Sequence, residues 1–313
     1  MKKNIFIILL AIAATAIGGL TRVSKPKVIY GLDNRIEVSD IKNKKIQKIS
    51  KSVAARFHKS SYSLFSNNKK EFVSFNYVTI LEDAWGGNVC RGERFSKQPT
   101  LSTCTGFLIA PNKIATAGHC ILEDNDFILN KMTNKCKGHS WYFGYELEKD
   151  QSLNIKNILK EELYNCKNVI VAKLSDDEDF AIIELDRNVK GVEPLKLRQK
   201  GRISTGSSLF VIGHPTGLPK KFSDSALVIF NTHDNYFGAS LDTFAGSSGS
   251  PVINEETLEV EGVLVRGKTD YIRTSSGCNR INLCSSDGSS CLFDGQDEKS
   301  EEATRINKLI PFL

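Results

Sequence analysis

From Phe72 onward the chain is broken into short apolar runs, each closed by Gly, Pro, Asn or Asp: TGFLIA, NKIATA, NVIVAKL, DFAIIEL, SLFVIG, ALVIF, SPVIN and EVEGVLVRG among them. Runs this short are too brief for packed helices and match the length of buried strands. No long helical pattern separates them, so the crossovers of a parallel sheet have no chain to be made from. The reading is all-β and antiparallel. With 40% hydrophobic and 25% charged residues in a chain of 313, the composition is that of an ordinary folded protein.

The flanks read differently. Between Lys25 and Lys70 the chain is rich in lysine and serine; Ile46, Ile49, Val53 and Phe57 recur at helical spacing, while SVAARF also reads as a short strand. The last stretch, EKSEEATRINKLIPF, begins with acids and sets Ile306, Leu309 and Ile310 on one side, which predicts a closing C-terminal helix. No internal repeat and no low-complexity segment is visible.

The start of the chain sets the compartment. MKKN is positive, Ile5 to Ile17 is apolar, and Ala14-Thr15-Ala16 with Gly18-Gly19 are small enough for cleavage. The run is short for a membrane span, so residues 1–20 read as a secretory signal peptide and the mature protein as periplasmic or extracellular, without a stable membrane anchor. In an oxidising compartment eight cysteines, an even number, are expected to form disulfides. Zinc is the rival, since Cys136 is close to His139 and Cys284 to Cys291. Neither spacing is a paired C-x-x-C, so no metal and no cofactor is expected. The net charge of +6 is spread through stretches such as KNKKIQKISK and LPKKF with no dense basic tract. That is a solvated surface, and no nucleic-acid partner is expected.

Three stretches carry chemistry. In CTGFLIAPNKIATAGHC (residues 104–120), strand, Pro-Asn turn and strand deliver His119 at the end of a hairpin. Cys104 and Cys120 bracket the unit, where one bridge would tie the histidine's loop to the preceding strand. In DDEDFAIIELD, Asp179 stands where a polar turn enters an apolar strand. In FAGSSGSPV, Ser248 sits between glycines, with Ser247 and Ser250 as shaping neighbours. A serine hydroxyl becomes a useful nucleophile only when a neighbouring base takes its proton. An imidazole titrates in the right range to accept and return it. A buried carboxylate would fix that imidazole's tautomer. Gly246 allows a turn in which its own N–H and that of Ser248 converge on a developing oxyanion. Each residue has a plainer reading: a core histidine, a solvated acid, a polar turn. The three contexts together outweigh it.

TAGHC, DFAIIEL and GSSGSP, in that order, resemble the chymotrypsin-like serine proteases, and GSSGSPV is similar to the bacterial glutamyl endopeptidase group within them. The order differs from α/β-hydrolases, where the serine comes first. The resemblance implies two packed antiparallel six-stranded β-barrels, with His119 and Asp179 from the first (residues 28–195, including an N-terminal extension) and Ser248 from the second (residues 196–313). It implies a secreted, monomeric endopeptidase acting on proteins or peptides through an acyl-enzyme, with catalytic His119, Asp179 and Ser248 and an oxyanion hole at Gly246 and Ser248. The Cys104–Cys120 spacing matches the bridge the family sets beside its histidine. Val28-Ile29, followed by YGLDNRIEV, resembles the mature start of the bacterial group, with residues 21–27 as a short propeptide. The histidine of GHPTGLP, His214, stands in a family turn.

The chain departs from the pattern at Ser247, where animal members carry the aspartate that pairs with a freed N-terminus, and at Ser250, which replaces a glycine. Asp242 falls at the place of the acid that attracts Lys or Arg, although some glutamyl-specific relatives also carry an aspartate there and use the following threonine, Thr243 here. Leu264 stands where those relatives need a histidine, which argues against glutamyl specificity and for basic side chains. Gly267 completes the expected pocket, and Arg266 beside it either binds an acid or blocks the pocket, so the choice between basic and acidic side chains stays open with basic favoured. Cys136 and Cys166 bracket an insertion and are candidates for one bridge; Cys90, Cys278, Cys284 and Cys291 allow three connectivities. The alternative to an enzyme is a catalytically silent binding module on the same fold.

Overall fold

Nearly all the apolar runs become strands, and their lack of polar alternation has a structural cause. The computed structural model describes residues 28–84, 88–150, 152–153, 155, 158–293 and 300–313. The expected signal peptide and propeptide lie outside the described residues.

Six strands close a first barrel: β1 (Val53–His58), β2 (Thr105–Ala110), β3 (Lys113–Thr116), β4 (His139–Tyr142), β5 (Leu163–Leu174) and β6 (Asp179–Leu185). All six ladders are antiparallel, in the closed order β1-β2-β3-β6-β5-β4. Six more close a second: β7 (Ser208–Gly213), β8 (Lys221–Phe230), β9 (Tyr236–Ala239), β10 (Pro251–Asn254), β11 (Val260–Arg266) and β12 (Glu301–Arg305). Their closed order, β7-β8-β9-β12-β11-β10, repeats the first. One further strand flanks each barrel, Asp126–Leu129 on β5 and Ile36–Glu37 on β8. The expected pair of six-stranded barrels is the fold.

Strand residues point alternately to two sides, and here both sides are apolar. Leu209 and Val211 of β7 join Phe237, Val252 and Leu264 inside the second barrel. Phe210 and Ile212 point the other way, into a core shared with Phe107, Val171, Phe180 and Ile182 of the first. Ala181 and Ile183 pack inside the first barrel with Leu108, Ile114 and Trp141. A strand that lines an interior on one face and the barrel–barrel contact on the other reads as a continuous apolar run.

The expected C-terminal helix is corrected. Glu301–Arg305 is strand β12, pairing β9 on one side and β11 on the other, and only short 3-10 turns follow at Ile306–Lys308 and Ile310–Phe312. The acids that suggested a helix N-terminus are buried in the sheet. Glu302 pairs with Arg266, and Glu301 accepts from Thr243 Oγ1 at 2.6 Å. Without this strand the second barrel would stay open, and ladder bonds outweigh the weak helical bias of a short segment.

The ambiguous N-terminal stretch is helix and then strand. Lys44–Ser50 is helical, its start capped by the Asn43 side chain, and β1 follows at Val53. Before it, Ile29–Tyr30 pairs in parallel with Leu283–Cys284. Four disulfides join Cys90–Cys278, Cys104–Cys120, Cys136–Cys166 and Cys284–Cys291. They oxidise all eight sulfurs, so the thiolates that zinc would need at Cys136 or Cys284 are already spent. Among the described residues no helix is long and apolar enough to cross a membrane.

Candidate active site

The hairpin β2–β3 ends at Thr116, and a 3-10 turn over Gly118–Cys120 turns His119 out of the sheet. Asp179 is the first residue of β6, the strand paired with β3, so the ladder itself brings the two together. Its Oδ1 accepts the His119 backbone N–H at 3.0 Å and its Oδ2 accepts from Nδ1 at 2.7 Å. Two bonds from one carboxylate fix both the loop and the ring. Asp179 is 5% exposed. Burial pushes its carboxyl upward, but the opposing pull of His119's charge and hydrogen bonds wins and holds it below the ordinary value. With Nδ1 committed to the carboxylate, Nε2 is the ring nitrogen left for chemistry.

His119 and Ser248 line one cavity of about 370 Å³, together with Arg56, Thr103, Cys104, Thr216, Ala245 and Gly246. Ser248 comes from the turn between Phe244 and Ser250, which two backbone bonds tighten: Ser247 N–H to Phe244 O at 2.8 Å and Ser250 N–H to Ser247 O at 2.9 Å. Gly246 has φ +93°, and a Cβ there would lie 2.6 Å from His214 O. Glycine is required on both counts. The Ala245 carbonyl turns back to accept from Thr216 N–H at 2.6 Å. Because C=O and N–H point oppositely in a trans peptide, the Gly246 N–H of that same unit is directed the other way. Among the described residues it donates to no protein acceptor. That is the disposition an oxyanion donor needs.

The two barrels are stitched at this turn. Thr105 N–H donates to Ser248 O at 2.8 Å, and Thr105 Oγ1 donates to Gly246 O at 2.8 Å while accepting from His214 N–H. Thr304 Oγ1 of β12 reaches across to the Asp179 carbonyl at 2.9 Å. The Cys104–Cys120 bridge closes the histidine hairpin. Ser250 fits without displacing its neighbours because Gly213 opposite it has no Cβ; one there would lie 2.1 Å from Ser250 Oγ. His214 is buried in the turn, its Nδ1 donating to Leu218 O, and stacks on Tyr145. Burial and the Lys220 charge hold it well below its ordinary pKa, which leaves it neutral.

The four residues expected to form a specificity pocket are not among those lining this cavity. Asp242 is buried, its Oδ1 accepting Tyr30 N–H at 2.7 Å and its Oδ2 bonded to no side chain or backbone group among the described residues. Burial raises its carboxyl to about 7. Thr243 takes Val28 O with its N–H and Glu301 with its hydroxyl. Leu264 is inside the second barrel, and the Glu301 carboxylate lies 2.1 Å from where a Gly267 Cβ would be. The N-terminal segment thus bonds Asp242 and Thr243, and Glu301 bonds Thr243 and abuts Gly267. Sequence reasoning missed Glu301, Thr105, Asp270 (whose Oδ2 accepts Ala245 N–H at 3.0 Å) and Arg56. Only Arg56 left a signal, as a charge in the apolar strand VAARF.

Comparison with known proteins follows the same lines. The family model for the trypsin-like peptidase domain matches residues 104–263, just over half of the chain. A Glu endopeptidase structure is 18% identical, with 91% of this chain and 97% of that chain covered and a TM-score of 0.46. The VesB protease of Vibrio cholerae is 13% identical, with 89% of this chain and 65% of that chain covered and a TM-score of 0.47. Both likenesses are weak, and neither bears on what this chain cleaves. A search of curated protein sequences returns no match.

Proposed function

The chain belongs to the trypsin-like peptidase family, and from that membership we propose that it is a secreted serine endopeptidase working through an acyl-enzyme. The observation that carries the reading is the His119–Asp179 pair facing a cavity it shares with Ser248. Ser248 Oγ attacks the scissile carbonyl as His119 Nε2 takes its proton. The carbonyl oxygen, now negative, is held by the Gly246 and Ser248 N–H groups, each worth about 3 kcal/mol in sites of this kind. Collapse of the tetrahedral adduct expels the amine, which takes the proton back from Nε2. Water repeats the cycle on the ester and frees Ser248. Asp179 stays ionised and steadies the imidazolium.

Export follows from the leader-like start and fits the four disulfides. Maturation by cleavage after Lys27 would leave Val28 as the first residue. Ser247 has no charge to bind the new amine, and the segment instead grips the residues just before the nucleophile turn: Val28 O to Thr243 N–H, Tyr30 N–H to Asp242. A monomer acting on proteins or peptides is the expected form. A basic side chain on the acyl side is the preference that the acids Asp242 and Glu301, both bonded to Thr243 or the N-terminal segment, would favour.

A fluorophosphonate probe tests the reading. It should label Ser248 in the mature protein, with no labelling of Ser248→Ala and little of His119→Ala. An unlabelled wild type would leave a silent binding module in place of the enzyme.

A further inference from the structure

The wall of the cavity beside His119 carries a charge that the proposed chemistry does not use. Arg56 lies in β1, is 7% exposed and lines the cavity with His119. Its Nε donates to Thr103 Oγ1 at 3.0 Å, and one N–H of its guanidinium goes to the carbonyl of Cys120, the residue after the histidine. A guanidinium has five N–H donors, so three remain without an acceptor among the described residues. Among the described residues no carboxylate pairs with it. Burial alone lowers its pKa, to about 9, with no acid to offset the cost. The neighbouring Lys135 adds charge and no relief. Its Nζ is spent on the carbonyls of His119 and Leu122, and its own pKa is lowered by burial and then by Arg56. A buried, unpaired guanidinium is costly to a fold, and an Arg is the side chain best shaped to grip a carboxylate with two parallel bonds.

The position of Arg56 says which part of a substrate would meet it. The acyl carbonyl must lie toward Gly246, and the leaving nitrogen must face the imidazole that protonates it. The chain beyond the scissile bond then runs along the histidine's side, past Thr103 and the Cys104–Cys120 bridge. Resting on the proposed peptidase reading, we propose that Arg56 binds a substrate carboxylate on the leaving-group side of the scissile bond, supplied by an acidic side chain or by a free chain terminus.

The test uses the mature protein and peptides with one common acyl half. One arm compares Asp with Asn at the first and second positions after the bond, in amidated peptides. The other compares a free C-terminal acid with its amide at the same positions. In wild type the acid is expected to win in at least one arm by about tenfold or more in kcat/KM, less at high salt. The ratio should fall to about one in Arg56→Met and be intermediate in Arg56→Lys, which keeps the charge but loses the fork. Because each ratio is taken within one variant, a general loss of activity does not affect it. If Arg56→Met does not fold, the wild-type ratios and Arg56→Lys decide. Ratios near one in both arms of the wild type, or a ratio that survives Arg56→Met, would overturn the assignment. Hydrolysis of an aryl ester, which has no residue beyond the bond, reports the triad separately. Ester turnover without an acid preference sinks Arg56 alone, and no ester turnover at all sinks the peptidase reading with it.

Discussion

Gly246 and Asp242 show how much one side chain decides here. A methyl on Gly246 would strike the His214 carbonyl in a backbone region closed to most residues. Gly246→Ala is expected to lower kcat on an aryl ester by roughly 10²–10³-fold, the usual effect of losing an oxyanion donor, with KM less affected. Asp242 makes a prediction about stability. Its folded pKa, raised by burial to about 7, stands above the ordinary value. The folded protein therefore holds a proton that the unfolded chain releases. Stability from this group is complete below the ordinary carboxylate range and is lost as pH climbs through 7. The loss is at most roughly 4 kcal/mol. Asp242→Asn keeps an acceptor for Tyr30 N–H and removes the titration. Thermal melts from pH 4 to 8 should show wild type falling relative to Asp242→Asn, and parallel curves would refute the shift. His119, Asp179 and Ser248 were legible as candidates because each stands in a distinctive local context. Asp242 was legible as a residue of interest but not in its partner, since nothing near it in sequence points to Tyr30.

Among the elements, the ones read well from sequence are those buried on both faces. DFAIIEL and SLFVIG became β6 and β7 because no helix could bury such short runs so completely. Strand β12 was misread since EEATR owes its extended form to two neighbouring strands remote in sequence. Local propensity cannot report such pairing. The cysteines divide in the same way. The local pair Cys104–Cys120 and the bracketing pair Cys136–Cys166 were legible, but Cys90–Cys278 spans 188 residues. That bridge ties the segment after Leu81 to the Tyr271–Arg273 and Asn279–Ile281 hairpin. Replacing both cysteines by serine should cost about 2–4 kcal/mol in denaturant unfolding. A change within error would mean that backbone bonds such as Cys90 N–H to Asn279 O hold the segment alone.

At the scale of the molecule, the strand order of one barrel repeats in the other, although no repeat is visible in the sequence. Closure and right-sized strands can be met by many apolar sequences, so topology persists where residue identity does not. What differs between the barrels is what they bring to their junction: β3 and β6 carry the His119–Asp179 pair, and the turn before β10 carries Ser248. Thr105 and Thr304 cross between them, so the site exists only while the barrels stay in register. The central claim is that this junction transfers an acyl group to Ser248. Stopped-flow hydrolysis of a nitrophenyl ester by the mature protein tests it most directly. A burst of nitrophenol of about one per active site should precede slower turnover in wild type and be absent from Ser248→Ala. A wild type with no ester turnover, or a burst of equal size in Ser248→Ala, would contradict it.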